Sequence, residues 1–109
     1  MAKYHEVEKY VEQLVEKGTE EGKSNDIRIV VLQRGFVAVG RFSQQGMQCL
    51  LEDAAIIRRW GTSKGLGEIA SAGPLQNTVL DKAGELRFHE LTVIFTLKCD
   101  VKKWEKRLG

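Results

Sequence analysis

The spacing of apolar residues changes once along the chain. Over the first eighteen positions Tyr4, Val7, Val11, Leu14 and Val15 recur mostly three to four apart, with Glu8, Glu12, Glu16 and Lys17 left for other faces. That spacing predicts an amphipathic helix from about residue 3 to Gly18. Its apolar stripe needs a cover, either the sheet of its own chain or a neighbouring subunit. "GTEEGKSND" follows as a polar, glycine-punctuated linker. From Ile27 the pattern becomes that of strands. "IRIVVLQ" and "FVAVGRF", rich in branched and aromatic residues, flank a turn near Arg34-Gly35. "SQQG" reads as the next turn, "MQCLLE" and "AAIIRRW" as two further short strands, with Glu52-Asp53 between them. Asp81-Lys82-Ala83-Gly84 reads as a turn, and Pro74 marks a sharp break after Gly73. From Leu86 to Cys99 strict alternation predicts one half-buried strand, with Leu91, Val93, Phe95, Leu97 and Cys99 on one face. The closing "DVKKWEKRLG" has the spacing for a turn or two of helix, with Val101, Trp104 and Leu108 inward.

These elements predict a mainly β protein with an N-terminal helix, built as a small antiparallel β-barrel or a compact β-sandwich. Residues 1–26 are read as helix and linker, 27–99 as a single β-rich domain, and 100–109 as a basic C-terminal tail. At 109 residues the core is modest. Several short strands with open edges and a separate apolar helix stripe would all gain from a partner, which predicts a homo-oligomer.

Charge is unevenly spread. Residues 1–26 hold seven acids against four lysines, while 27–99 hold nine bases against six acids and the tail four bases against two acids. A basic body suits a phosphate-bearing partner, although the excess is small for a protein that wraps nucleic acid. The two cysteines, Cys49 and Cys99, lie too far apart in sequence for a short metal-binding motif and read as buried thiols. No apolar run approaches the roughly 20 residues of a membrane helix, and "MAKYHEVEKY" has no signal-peptide core. The expectation is a soluble cytoplasmic protein with no membrane partner.

The stretch with most chemistry is "RRWGTSKGLGEIASAG", residues 58–73. Thr62, Ser63, Lys64, Gly65 and Gly67 can turn several backbone N–H groups toward one point, because glycine permits the dihedrals an anion nest needs. Arg58 or Arg59 adds a fork of donors matched to phosphate or carboxylate. Strict alternation sends the two arginines to opposite sides of a strand, so that Arg58 shares a face with Trp60, a flat surface for a base. The loop is neither a Walker A motif, since Ser63 precedes Lys64 and Gly65 follows it, nor a dinucleotide fingerprint. Its other reading is a plain glycine-bearing turn.

The remaining candidates are weaker. His89 reads as a satisfied histidine at the core edge, and His5 has no nearby ligand-type residue. No metal site and no cofactor are implied. With no carboxylate pair, nucleophile elbow or histidine-centred motif, the chain reads as a non-enzyme.

Two resemblances bear on this. "IRIVVLQRGFVAVGRFSQQGMQCLLEDA" resembles the first motif of Sm-like proteins in the placing of Leu32, Gly35, Gly40, Phe42 and Leu51. That family forms rings of helix-plus-five-strand barrels that bind single-stranded RNA, so the resemblance implies a small barrel. The aspartate and asparagine of its RNA-binding turn are replaced around Gln45 and Gln48, and its second motif is not evident. "LLEDAAIIRRWGTSKGLGEIASAGP…NTVLD" is also similar to small proteins of phages and prophages. This second resemblance implies a protein of the host cytoplasm that acts by binding.

Together these readings predict a non-enzymatic oligomeric protein that binds a phosphorylated small ligand or nucleotide, with sequestration of a signal molecule as its sense. The ligand-binding residues would be Arg58, Arg59, Trp60, Thr62, Ser63, Lys64, Gly65 and Gly67. Two alternatives stand beside this: a structural adaptor of phage origin, and a small barrel that binds single-stranded nucleic acid.

Overall fold

The computed structural model describes residues 23–108, so the helix expected before Gly18 and most of its linker lie outside the described residues. Five strands form one antiparallel sheet: β1 (Ile27–Leu32), β2 (Val37–Gln45), β3 (Gln48–Arg59), β4 (Val79–His89) and β5 (Val93–Lys98). Two short helices complete it, α1 (Leu66–Ala72) between β3 and β4, and α2 (Val101–Trp104) after β5. The spatial order is β4-β3-β2-β1-β5. The mainly β expectation holds, as does the turn at Arg34-Gly35. That turn is a short 3-10 segment over Gln33–Gly35, in which both Arg34 and Gly35 have positive φ.

The sheet is strongly bent, and its connectivity shows why. β4 and β5 occupy opposite edges, about 19 Å apart in a flat sheet of this order. Yet only the 3-10 segment Glu90–Thr92 joins them, and the four peptide steps from His89 to Val93 reach at most about 14 Å. The edges must therefore curl toward each other, and their side chains meet. Leu86 and Phe88 of β4 and Val93 of β5 pack on one apolar cluster with Val30, Ala38, Phe42, Cys49, Leu51 and Ala54. No ladder pairs β4 with β5 among the described residues.

Three neighbouring positions make the bend. Gly40 of β2 lies where the β2–β3 register shifts, opposite Asp53, whose φ is +51°. A Cβ on Gly40 would stand 3.0 Å from the Glu52 carbonyl oxygen, so only glycine lets the strands approach there unperturbed. On the other side of β3, the β3–β4 register shifts around Ala54↔Gly84, and Gly84 also has positive φ. Asp53 is clamped in place by Lys23 Nζ at 2.9 Å and Arg41 Nε at 3.1 Å.

The opposite face of the sheet carries a second core under the helices. Ile27, Ile29, Val37, Val39, Ala55 and Ile57 pack against Leu66, Ile69 and Ala70 of α1 and Trp104 of α2. Trp104 Nε1 donates to the Ile69 carbonyl at 2.8 Å, and the Asp100 amide donates to the Ala70 carbonyl at 2.9 Å. The tail thus holds the inserted helix on the sheet. Its helical turn and inward Trp104, Val101 and Leu108 agree with the spacing read from sequence.

Three local expectations are corrected. All of "MQCLLE" after Met47 and all of "AAIIRRW" before Trp60 belong to one twelve-residue strand, because Glu52-Asp53 form a bulge rather than a turn. Asp81–Gly84 lies inside β4, where Gly84 serves a second bulge. The 86–99 stretch is broken by the 3-10 segment, which is closed by Thr92 Oγ1 donating to the His89 carbonyl and the Leu91 amide donating to His89 Nδ1. The expected shared face fails there too. Val31 pairs with Phe95 but Leu32 with Val93, so Ile94 is an extra residue. The extra residue reverses the alternation: Val93 joins one core, while Leu97 and Cys99 join the other.

Candidate functional site

The arginine–tryptophan stretch leaves the sheet at the end of β3. Ile57 pairs with Leu80 and Arg59 with Val79, so Arg58 is an extra residue and the chain bulges here. Strict alternation, which would send Arg58 and Arg59 to opposite faces, therefore stops at this point. Arg58 Nη1 makes an exposed ion pair with Asp81 Oδ2 at 3.2 Å, and Arg59 is exposed. Trp60 follows with 43% of its surface open to solvent. Its backbone is fixed all the same: the Trp60 carbonyl accepts from Thr78 Oγ1 at 2.7 Å. Gly61, at φ +68°, runs so close to the returning chain that a Cβ would meet the Asn77 carbonyl carbon at 2.3 Å.

The loop then turns into α1 with its amides already engaged. Thr62 Oγ1 accepts from the Gly65 amide at 3.0 Å. Glu68 Oε1 accepts from the amides of Ser63 at 3.3 Å and Lys64 at 3.2 Å. The N–H groups do converge on an anion, and that anion is the protein's own carboxylate. Glu68, four residues beyond Lys64, is the residue the sequence reading missed; a carboxylate in the first turn of a helix, reaching back to preceding amides, was the available signal. Gly67 lies within α1, exposed and clear of neighbours. What the segment offers to solvent is side chains: the Trp60 ring, the guanidinium groups of Arg58 and Arg59, and the Lys64 ammonium.

The wider electrostatics are positive. Residues 23–108 carry fourteen Lys and Arg against nine Asp and Glu. Lys23, Arg28, Arg41, Arg58 and Arg87 form ion pairs with Asp53, Asp26, Asp53, Asp81 and Glu85 in turn. Lys102, Lys103, Lys106 and Arg107 of the tail are all exposed.

Other titratable groups are accounted for by packing. Burial pushes the Cys99 thiol up to about 12 and raises Cys49, so both are neutral thiols rather than nucleophiles. Burial, then Glu85, raises the Glu52 carboxyl, while the Lys23 hydrogen bond holds Asp53 low. Among the described residues no group of three or more His, Cys, Asp or Glu converges as a metal site, and no polar or charged residue is buried. No described helix is long and apolar enough to cross a membrane.

Exposed apolar residues gather along β5 and its approaches. Leu91 is 73% exposed, Ile94 58% and Phe95 49%. Among the described residues β5 is paired only to β1, and β4 only to β3, so each presents one edge that no described strand pairs.

No protein-family profile and no curated protein matches the sequence. Among solved structures, the fold has a weak resemblance to a heptameric archaeal Sm protein, with 18% identity, a TM-score of 0.48, and coverage of 72% of this chain and 91% of that one.

Proposed function

We propose that this chain is a non-enzymatic, self-assembling protein that binds single-stranded nucleic acid at the end of β3. One observation carries the reading. The backbone amides of residues 63–65 are consumed by Glu68 and Thr62, whereas the Trp60 ring and the neighbouring cationic side chains remain open. A compact phosphate nest needs the amides. A single strand needs an aromatic platform and cations along its backbone, and these are what is left. Assembly is supported separately by the two sheet edges left unpaired among the described residues and by Leu91, Ile94 and Phe95, since an apolar edge strand is a template for another chain. Head-to-tail pairing of the β5 edge of one copy with the β4 edge of the next covers both.

The main alternative is a free phosphorylated nucleotide held by the same Trp60 and arginines, the sequestering role that the similarity to phage proteins implies. A fluorescently labelled homopolymeric single strand, titrated at 50 and 200 mM salt while native mass is followed on the same samples, tests the reading. The expectation is saturable binding by a discrete oligomer, a steep fall in affinity with salt, and a loss of about 1–3 kcal/mol in Trp60→Ala. Absence of saturable binding at the lower salt overturns it. Tight binding of a mononucleotide with little salt dependence, and none of the strand, selects the alternative.

A further inference from the structure

Phe36 is 57% exposed. It closes the β1–β2 turn and enters β2 one residue before the buried Val37. The β2–β3 ladder pairs Ala38 with Ile56. Carried two residues outward, the same register sets Phe36 level with Arg58, on the strand next to it. Asp81, the partner of Arg58, is itself paired with Ile56, so β2, β3 and β4 bring Phe36, Arg58 and Asp81 to one end of the sheet. Trp60 lies two residues beyond Arg58 on the same chain. This rim carries Phe36 level with Arg58 on the neighbouring strand, and the exposed Trp60 follows Arg58 and Arg59 along the chain.

We infer that this rim recognises a base–phosphate–base unit, with Phe36 as a second stacking platform beside Trp60 and the arginine pair on the phosphodiester between the two bases. The inference rests on the proposed reading of this site and narrows it. Each base presents a flat π-face that an aromatic ring accepts without regard to sequence, and a guanidinium offers a planar fork to the phosphate oxygens. The bulge at Arg58 matters, because it ends the alternation that would otherwise turn one arginine away. Asp81 holds the Arg58 guanidinium on one side and leaves its remaining N–H groups for the ligand. A mononucleotide fills only one platform.

The full-length protein, titrated with a mononucleotide, a dinucleotide and a twelve-nucleotide single strand, tests this. In the wild type the dinucleotide is expected to bind at least about tenfold more tightly than the mononucleotide. Phe36→Ala brings the dinucleotide to the mononucleotide level, whereas Phe36→Tyr binds as the wild type does. Equal affinity for one and two nucleotides, or unchanged dinucleotide binding in Phe36→Ala while Trp60→Ala weakens it, overturns the second platform and leaves the reading of the site standing. Failure of the wild type to bind any of the three overturns both. A change of native mass in Phe36→Ala makes Phe36 a subunit contact and overturns the inference. Stronger binding of the twelve-mer than of the dinucleotide identifies a strand as the source of the unit, and equal binding a free dinucleotide; either supports it.

Discussion

Trp104 and Trp60 are the same side chain put to opposite uses. Trp104 is wholly enclosed between the sheet and α1, and its indole N–H is spent on the Ile69 carbonyl. Trp60 is anchored through its backbone, while its ring stays partly open beside two arginines. One region is closed by its own tail; the other is fixed through its backbone and keeps its side chains at the surface, Arg58 paired there with Asp81. The contrast separates residues that hold the fold from residues available to a ligand.

The largest effect that can break this comparison is on stability. Trp104→Ala should lower the free energy of unfolding in urea by about 3–5 kcal/mol, since it opens a cavity under α1 and strands a carbonyl. Trp60→Ala should cost about 1 kcal/mol or less in the same experiment and show its effect in binding instead. Comparable losses in both would make Trp60 a core residue and end its functional reading.

An intermediate effect lies at the bend, where adjacent carboxylates behave oppositely. Asp53 is held below its ordinary 3.8, first by the Lys23 hydrogen bond. Its contribution to stability is therefore present above that pH and is lost as pH falls toward the lowered native value. Glu52 is raised above its ordinary 4.5 by burial and by Glu85, so it favours the fold below that pH and loses this as pH rises through the native value. Asp53→Asn should cost about 1 kcal/mol at neutral pH and flatten the acid limb of a stability profile, and Glu52→Gln should gain a smaller amount at neutral pH. Parallel pH profiles for wild type and Asp53→Asn would show that the clamp is not what holds the bulge.

The smallest effect is at the open end. Arg34 adopts φ +69° on an exposed turn, a conformation that glycine adopts freely. Arg34→Gly should raise stability by roughly 0.5–1 kcal/mol in thermal or urea unfolding. A loss instead would show that the Arg34 side chain supports the turn through contacts worth more than its strain.

Much of the fold was legible because period-two patterning survives wherever a strand has one buried face. β1, β2 and the inward Trp104 follow from spacing alone. The failures in the strands are at irregularities, and α1, inside the glycine-rich stretch read as a loop, was not anticipated. Glu52-Asp53, Ala83-Gly84, Arg58 and Ile94 each insert a residue into a ladder, and acidic and glycine residues at such places look like turns when no partner strand is in view. The candidate loop was legible as a segment rich in donors, but Glu68 turned out to satisfy two of them. Phe36 was read only as a strand residue, because exposure is a property of the assembled rim.

By itself the sequence determined that this is a mainly β chain with a helical tail, a basic body and two thiols kept in the core, since composition and local periodicity decide these before any long-range contact forms. Only the tertiary structure decided that the sheet bends at Gly40, Asp53 and Gly84 until its edges share one core, and that Phe36, Arg58 and Asp81 come to one end of the sheet. Both depend on which residue of one strand stands opposite which residue of the next. A single inserted residue changes that register while leaving the local pattern almost untouched.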